Sequence, residues 1–256
     1  MQLYKFNFTG KVALITGGAK GLGKEYVQTF AEQGSDVAVF DIDGQLARET
    51  AREIETLTGR KIRGFACDVG NEKQVIDSVA AVVKEFGKID QVVNNAGILR
   101  YGDALADWEK VINVNLTGTF LMNREVVKQS MMVQKKGRIV NISSIGGVLA
   151  TPAGVQSYHA SKAGVIAMTK AQAGEWAPYN ILVNSVAPGA IANGTMGDSA
   201  GSSTAADDYQ AKSRNPLKRR GKFGEMSGIL IYLCSDENTY TNGQLILVDG
   251  GWAGMM

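Results

Sequence analysis

The feature that most constrains this chain is a series of short, almost wholly apolar runs rich in Val and Ile. They are Val12–Thr16, Val37–Asp41, Ile62–Ala66, Gln91–Asn94, Arg138–Ile142, Ile181–Val186 and Gln244–Val248. A strand with one wet face alternates apolar and polar residues, so a run that is apolar throughout must be covered on both faces. Segments of helical period separate the runs: Val27, Phe30 and Ala31 share a face, then Ala47, Ala51 and Ile54, then Val75, Val79, Val82 and Phe86. Strands followed by helices in this order predict a doubly wound α/β fold, a parallel sheet of about seven strands with helices on both sides. No repeat and no Pro-rich linker divides the chain, which points to one domain over residues 1–256. In such a sheet ligands bind beyond the carboxyl ends of the strands.

Bulk properties remove several classes of function. The 27 Lys and Arg nearly cancel the 25 Asp and Glu, leaving +2, so neither nucleic acid nor an anionic membrane surface is an expected partner. Apolar runs are a strand long, short of the roughly 18 residues a bilayer requires. Met1–Val12 has no apolar leader core, and Cys67 and Cys234 are the only cysteines, so a reducing cytoplasm is the expected setting. With 31 Gly against 4 Pro, glycine serves backbone geometry here and does not mark a disordered chain.

The first run leads directly into Thr16-Gly17-Gly18-Ala19-Lys20-Gly21-Leu22-Gly23, with a helix expected from Lys24. A pyrophosphate needs free backbone N–H groups at a helix N-terminus and no Cβ in its way, which Gly17, Gly21 and Gly23 can supply. Asp41 ends the second run eighteen residues after Gly23, where a carboxylate can accept hydrogen bonds from an adenosine ribose. Together they indicate a Rossmann-type dinucleotide site. Asp68-Val69 ends the third run, and the Asp either reaches the adenine amino group or begins the next helix. Asn94-Asn95-Ala96-Gly97 ends the fourth, where small residues let a cofactor approach the backbone or an Asx turn simply closes the strand.

Tyr158 and Lys162 stand at i and i+4 in Tyr-His-Ala-Ser-Lys, on one face of a helix expected to run to about Trp176. A phenol with a pKa near 10 is a poor base, and a neighbouring ammonium is expected to lower that value. His159 is the single histidine; adjacent to Tyr158, it points to another side of the helix and reads as structural.

In order and in spacing these elements resemble the short-chain dehydrogenase/reductase family in its form of about 250 residues. The elements are Thr16-Gly17 with Gly21-Leu22-Gly23, Asp68, Asn94-Asn95-Ala96-Gly97, Asn115 in Val-Asn-Leu-Thr-Gly, Ser143-Ser144, Tyr158 with Lys162, and Pro188-Gly189. The resemblance implies an oxidoreductase that interconverts a secondary alcohol and a ketone by hydride transfer with a nicotinamide. Tyr158 would be its general acid/base. Ser144 would hold the substrate oxygen, with Ser143 as the competitor for that role. Lys162 would bind the nicotinamide ribose and depress the Tyr158 pKa, and Asn115, chosen over Asn113, would anchor a water between Lys162 and solvent. Gly17, Lys20, Gly21, Leu22, Gly23, Asp41, Asp68, Val69, Asn95, Ala96, Gly97, Pro188 and Gly189 would complete the cofactor site. NAD is expected in preference to NADP, since Asp41 repels a 2′-phosphate, although Lys20 could pair with one.

Residues 199–208 are Gly, Ser, Thr, Ala and Asp with almost no apolar content, and a substrate lid over about 190–215 is expected. The family's nicotinamide-contacting Thr falls at Asn193 here, with a Thr only at Thr195. Arg214, Lys218, Arg219, Arg220 and Lys222 follow, either a solvated basic turn or a site favouring an anionic substrate. Sugar acids or polyols are one substrate class; 3-oxoacyl thioesters of acyl carrier protein, reduced with NADPH, are the alternative, as is a silent dinucleotide sensor. The nearly uncharged end Asp249–Met256 is expected to pack in an interface of a homo-oligomer, a tetramer by the resemblance. With one His and two distant Cys, no metal site is expected.

Overall fold

The computed structural model describes residues 6–150, 154–192 and 213–255. Seven strands, β1 (Val12–Thr16), β2 (Asp36–Asp41), β3 (Ile62–Ala66), β4 (Gln91–Asn94), β5 (Gly137–Ile142), β6 (Ile181–Pro188) and β7 (Leu245–Val248), form one sheet in the order β3-β2-β1-β4-β5-β6-β7. Every pairing is parallel. The sheet matches the seven apolar runs, with β2 and β5 starting one residue earlier, β6 continuing to Pro188 and β7 starting at Leu245. Strand order reverses between β1 and β4, so the crevice at their carboxyl ends is where a ligand site belongs.

Two apolar layers hold the helices to the sheet. On one side Val27 and Phe30 of α1 (Gly21–Glu32), Ala47 and Ile54 of α2 (Gly44–Thr58), and Leu230 and Leu233 of α8 (Ser227–Cys234) pack on Ile15, Val39 and Val140. On the other, Val75, Val79 and Val82 of α3 (Glu72–Phe86) lie in one cluster with Leu14, Val92 and Ile139. The same cluster takes in Leu121 and Met122 of α5 (Gly118–Val126) and Trp176 of α7 (Gln156–Trp176). Helix α4 (Leu105–Ile112) runs into α5 through a π-helical turn at Asn113–Thr117, and a second at Val127–Met131 leads to the short α6 (Met132–Gln134). The expectation of cover on both faces fails at the two edge strands, where Leu247 of β7 is 38% exposed and Ala66 of β3 is exposed as well.

Helix starts follow from the capping chemistry of the chain. Asp43 accepts a hydrogen bond from the N–H of Leu46 and opens α2; Asn71 accepts one from Gln74 and opens α3. Helix α1 differs: it begins at Gly21, not at Lys24 as the sequence reading had it, and no side chain caps it. Gly21 and Gly23, taken for loop, lie in its first turn.

Candidate active site

The turn between β1 and α1 is fixed by glycine in ways no other residue can reproduce. Gly17 and Gly21 have φ of +62° and +56°, in the left-handed region. A Cβ on Gly23 would overlap the carbonyl oxygen of Gly17. Leu22 is partly buried against the first apolar layer, and Lys20 is exposed. With no side-chain cap on α1, the N–H groups of its first turn face the strand-end crevice without a protein partner supplied by capping, an arrangement that fits a pyrophosphate.

Residues far along the chain hold this turn in place. Asn95 Nδ2 donates to the carbonyls of Thr16 at 3.2 Å and Gly17 at 3.1 Å. Thr16 Oγ1 accepts from the N–H groups of Asn95 and Ala96, each at 3.0 Å. The carboxamide of Asn95 therefore supports the cradle from behind, and Thr16 is a participant whose hydroxyl the sequence reading did not use. Asp41, at the end of β2, accepts from the N–H of Ala19 and lies beside the turn as its position implied.

Asp68 does not begin the helix that follows it. Its Oδ1 closes an Asx turn onto the N–H of Gly70 at 2.9 Å, while Asn71, not Asp68, caps α3. Asn113 Nδ2 donates to the carbonyl of Gly70, which assigns Asn113 to this loop. Val69 is buried, and a Cβ on Gly118 would crowd it. Asn94 is buried in the protein interior and bonded to Asn123 and Asn141.

At the carboxyl end of β5, Ser143 is buried and accepts from Ser185 Oγ at 2.8 Å, while its own Oγ donates to the carbonyl of Val186. Ser144 stands outside that pairing. Its Oγ accepts from the N–H of Gly146 and makes a side-chain hydrogen bond with Tyr158. Of the two serines, Ser144 is the one that reaches Tyr158. His159 Nδ1 donates to the carbonyl of Gly146 at 2.6 Å, so the lone histidine fastens the Ser144 loop to α7.

Lys162 is buried, and its Nζ donates to the carbonyl of Ile142 at 2.8 Å and lies 5.7 Å from the centre of the Tyr158 ring. A Cβ on Gly97 would come within 3.4 Å of that Nζ and 3.3 Å of Asn115 Oδ1, so the glycine leaves the ammonium room. Asn115 sits in the π-helical turn, where its carboxamide is bonded to both the N–H and the carbonyl of Ile98 and donates to Ser161 Oγ. Ser161 in turn donates to the carbonyl of Tyr158. Pro188 and Gly189 end β6 on the same edge of the sheet, and a Cβ on Gly189 would meet Asp249.

Electrostatics correct one expectation. Burial pushes the Lys162 ammonium down to about 8. Burial raises the Tyr158 phenol, opposed by its hydrogen bond from Ser144, and Lys162 does not enter as a cause. The ammonium is directed to Ile142, so it does not set the phenol's acidity in the protein alone.

The basic run is less available than its composition suggested. Arg219 is paired through two contacts of 2.7 Å with Glu225, which also accepts from the N–H of Lys222. The bulk of the expected lid, with Asn193 and Thr195, lies outside the described residues. Among the described residues there is no cluster of His, Cys, Asp and Glu able to hold a metal, and no helix long and apolar enough to cross a membrane.

A sequence model for the family described as Enoyl-(Acyl carrier protein) reductase matches residues 17–253. The chain belongs to the short-chain dehydrogenase/reductase family. Among members of that family, a 3-oxoacyl-[acyl-carrier-protein] reductase of Thermotoga maritima is 43% identical over 248 residues, covering 94% of this chain and 97% of its own. A 2-dehydro-3-deoxy-D-gluconate 5-dehydrogenase of Dickeya dadantii is 37% identical, over 98% and 99% of the two chains. A gluconate 5-dehydrogenase of Burkholderia cenocepacia, solved with NADP and tartrate, superposes with a TM-score of 0.93 at 31% identity over 98% of each chain. This short-chain dehydrogenase/reductase is thus an NAD(P)-dependent oxidoreductase acting on CH–OH groups, and the residues of its strand-end crevice fit that cofactor.

Proposed function

We propose that the enzyme interconverts the hydroxyl and ketone of a small sugar acid, using NAD, with Asn115, Ser144, Tyr158 and Lys162 as its working set. The observation that carries this reading is the hydrogen bond between Ser144 and Tyr158 beside the buried Lys162. Bound nicotinamide supplies the hydride acceptor or donor. Tyr158 exchanges the proton of the substrate oxygen, which Ser144 holds in place, so charge developing on that oxygen meets two hydroxyl donors. Lys162 binds the ribose, and its ammonium completes the route by which the phenol regains its proton. Gly17, Lys20, Gly21, Leu22, Gly23, Asp41, Asp68, Val69, Asn95, Ala96, Gly97, Pro188 and Gly189 form the dinucleotide cradle, Asn95 through its support of the turn.

The sugar-acid choice draws on the gluconate-named relatives and on the tartrate in a solved one. The second reading, reduction of 3-oxoacyl thioesters, is favoured by the Thermotoga reductase at 43% identity. Turnover of 5-keto-D-gluconate and of acetoacetyl-CoA, each with NADH and NADPH, separates them: thioester reduction with NADPH and none of the sugar acid overturns the first. A tetramer, with residues 249–256 in its interface, accompanies this proposal, and light scattering that reports a monomer at micromolar concentration contradicts it.

A further inference from the structure

Between the sheet and helices α5 and α7, five side chains form one buried polar network. Asn94 Nδ2 donates to Asn123 Oδ1 at 2.6 Å and to Asn141 Oδ1 at 2.9 Å. Asn123 Nδ2 donates to Asn141 Oδ1 at 3.2 Å and to Gln172 Oε1 at 2.9 Å. Asn141 Nδ2 donates to Thr169 Oγ1 at 2.9 Å, and that hydroxyl donates to the carbonyl of Val165. All five are at most 5% exposed.

Each member sits a short step from a working residue. Asn94 and Asn141 are cross-strand partners; Asn94 precedes Asn95, which supports the glycine turn, and Asn141 precedes Ile142, whose carbonyl receives Lys162. Asn123 lies eight residues after Asn115 on the continuous helical stretch, with Thr119, whose hydroxyl donates to the carbonyl of Asn115, midway between. Thr169 and Gln172 share the buried face of α7 with Lys162.

Apolar contact is non-directional and tolerates small slides of a helix over a sheet. A buried set of donors and acceptors is best satisfied in one arrangement, here with Asn94 Oδ1 left without a partner, while adding little stability over a well-packed apolar substitute. We propose that Asn141, Asn123, Thr169 and Gln172 are positioning residues for hydride transfer: they set the register of α7 on β5, and so hold Lys162 at Ile142 and Tyr158 at Ser144. This rests on the roles of Tyr158 and Lys162 given above. Failure of those roles appears as an active Tyr158→Phe enzyme; failure of the network appears as an unaffected Thr169→Val enzyme.

Thr169→Val keeps the side-chain shape and removes the hydroxyl, while Thr169→Ser restores it. Since misplacement of catalytic groups by about 1 Å costs up to roughly a hundredfold, Thr169→Val is expected to lower kcat about tenfold and to shift its pH profile. NADH affinity, read by fluorescence, should stay within about twofold, and Thr169→Ser should stay near the parent on all counts. Gln172→Met, which removes the acceptor for Asn123, should show the same pattern and takes the place of Thr169→Val if that variant fails to fold. The substrates are 5-keto-D-gluconate and acetoacetyl-CoA. A crystal structure of the variant decides the geometry even if neither is turned over: the contact between Lys162 Nζ and the Ile142 carbonyl should lengthen beyond hydrogen-bond reach. A variant with lowered thermal stability but parental kcat, pH profile and Lys162 contact overturns the proposal, as does an equal loss in Thr169→Ser.

Discussion

The carboxylate of Asp41 accepts a hydrogen bond of 3.1 Å from the backbone N–H of Ala19, joining the end of β2 to the glycine-rich turn. Its other oxygen accepts from Asp43 at 3.1 Å, and each oxygen keeps a further lone pair for a ribose hydroxyl. A 2′-phosphate there meets like charge, with a discrimination of about 2.7 kcal/mol, roughly a hundredfold, expected in favour of NAD. Exposed Lys20 is free to turn to solvent. Asp41→Ser should cut the ratio of kcat/KM for NAD over NADP at least tenfold, and should weaken both cofactors somewhat because the Ala19 anchor is lost. An unchanged ratio shows that another residue discriminates.

Tyr158→Phe removes the hydroxyl that Ser144 holds and leaves the ring in place. Turnover should fall by far more than tenfold while dinucleotide affinity stays nearly the same. Retention of over a tenth of kcat, a loss smaller than about 1.4 kcal/mol in barrier, is incompatible with Tyr158 as the acid/base.

Lys162 carries a stability cost with a definite pH window. Its folded value of about 8 lies below the ordinary 10.5, so below pH 8 both folded and unfolded chains hold the proton and the full cost of a buried ammonium is present. Between 8 and 10.5 the unfolded chain binds more protons, so this contribution to stability improves as pH rises; the span is roughly 3 kcal/mol. Lys162→Met should therefore be more stable than the parent at pH 7, with an advantage that shrinks toward pH 10. Denaturant unfolding at both values measures it, and a constant difference refutes it.

His159 acts on catalysis through the loop it fastens. His159→Phe removes the donor to the Gly146 carbonyl and should raise KM for the ketone substrate and lower kcat several-fold, since Ser144 loses support. Dinucleotide affinity should not change.

Glycines divide by what surrounds them. Gly23→Ala forces a Cβ into the carbonyl of Gly17 and should abolish dinucleotide binding. Gly174→Ala, at an exposed helical position with nothing within 4 Å, should raise stability by about 0.5–1 kcal/mol. A Gly174→Ala protein that melts lower than the parent would show that this surface is covered.

The strands were legible because burial on both faces leaves runs such as Val37–Asp41 with no polar alternation to mislead. The glycine turn was legible as a site but not as a helix start, since three glycines look like a loop until the uncapped helix beneath them is seen. What local sequence could not show is that Ser143 is engaged by Ser185, a residue 42 positions away. Spacing of i, i+4 says that Lys162 is near Tyr158 but not that its Nζ is drawn to Ile142. Asn141, a polar residue inside the run Arg138–Ile142, was not singled out, and its partners on α5 and α7 lie beyond any local pattern.

The clasp of Asn95 on Gly17 spans 78 residues of chain. During synthesis, β1, α1 and β2 emerge and can pack long before the carboxamide that steadies their turn has left the ribosome. A bound dinucleotide stabilises only the folded form that binds it, by an amount that grows with the logarithm of its concentration over Kd. It offers little to a nascent chain that ends before β4, so the early segment must persist on its own apolar contacts. A dinucleotide that needs the turn held by Asn95 therefore adds its stabilisation only to chains in which β1 and β4 are joined.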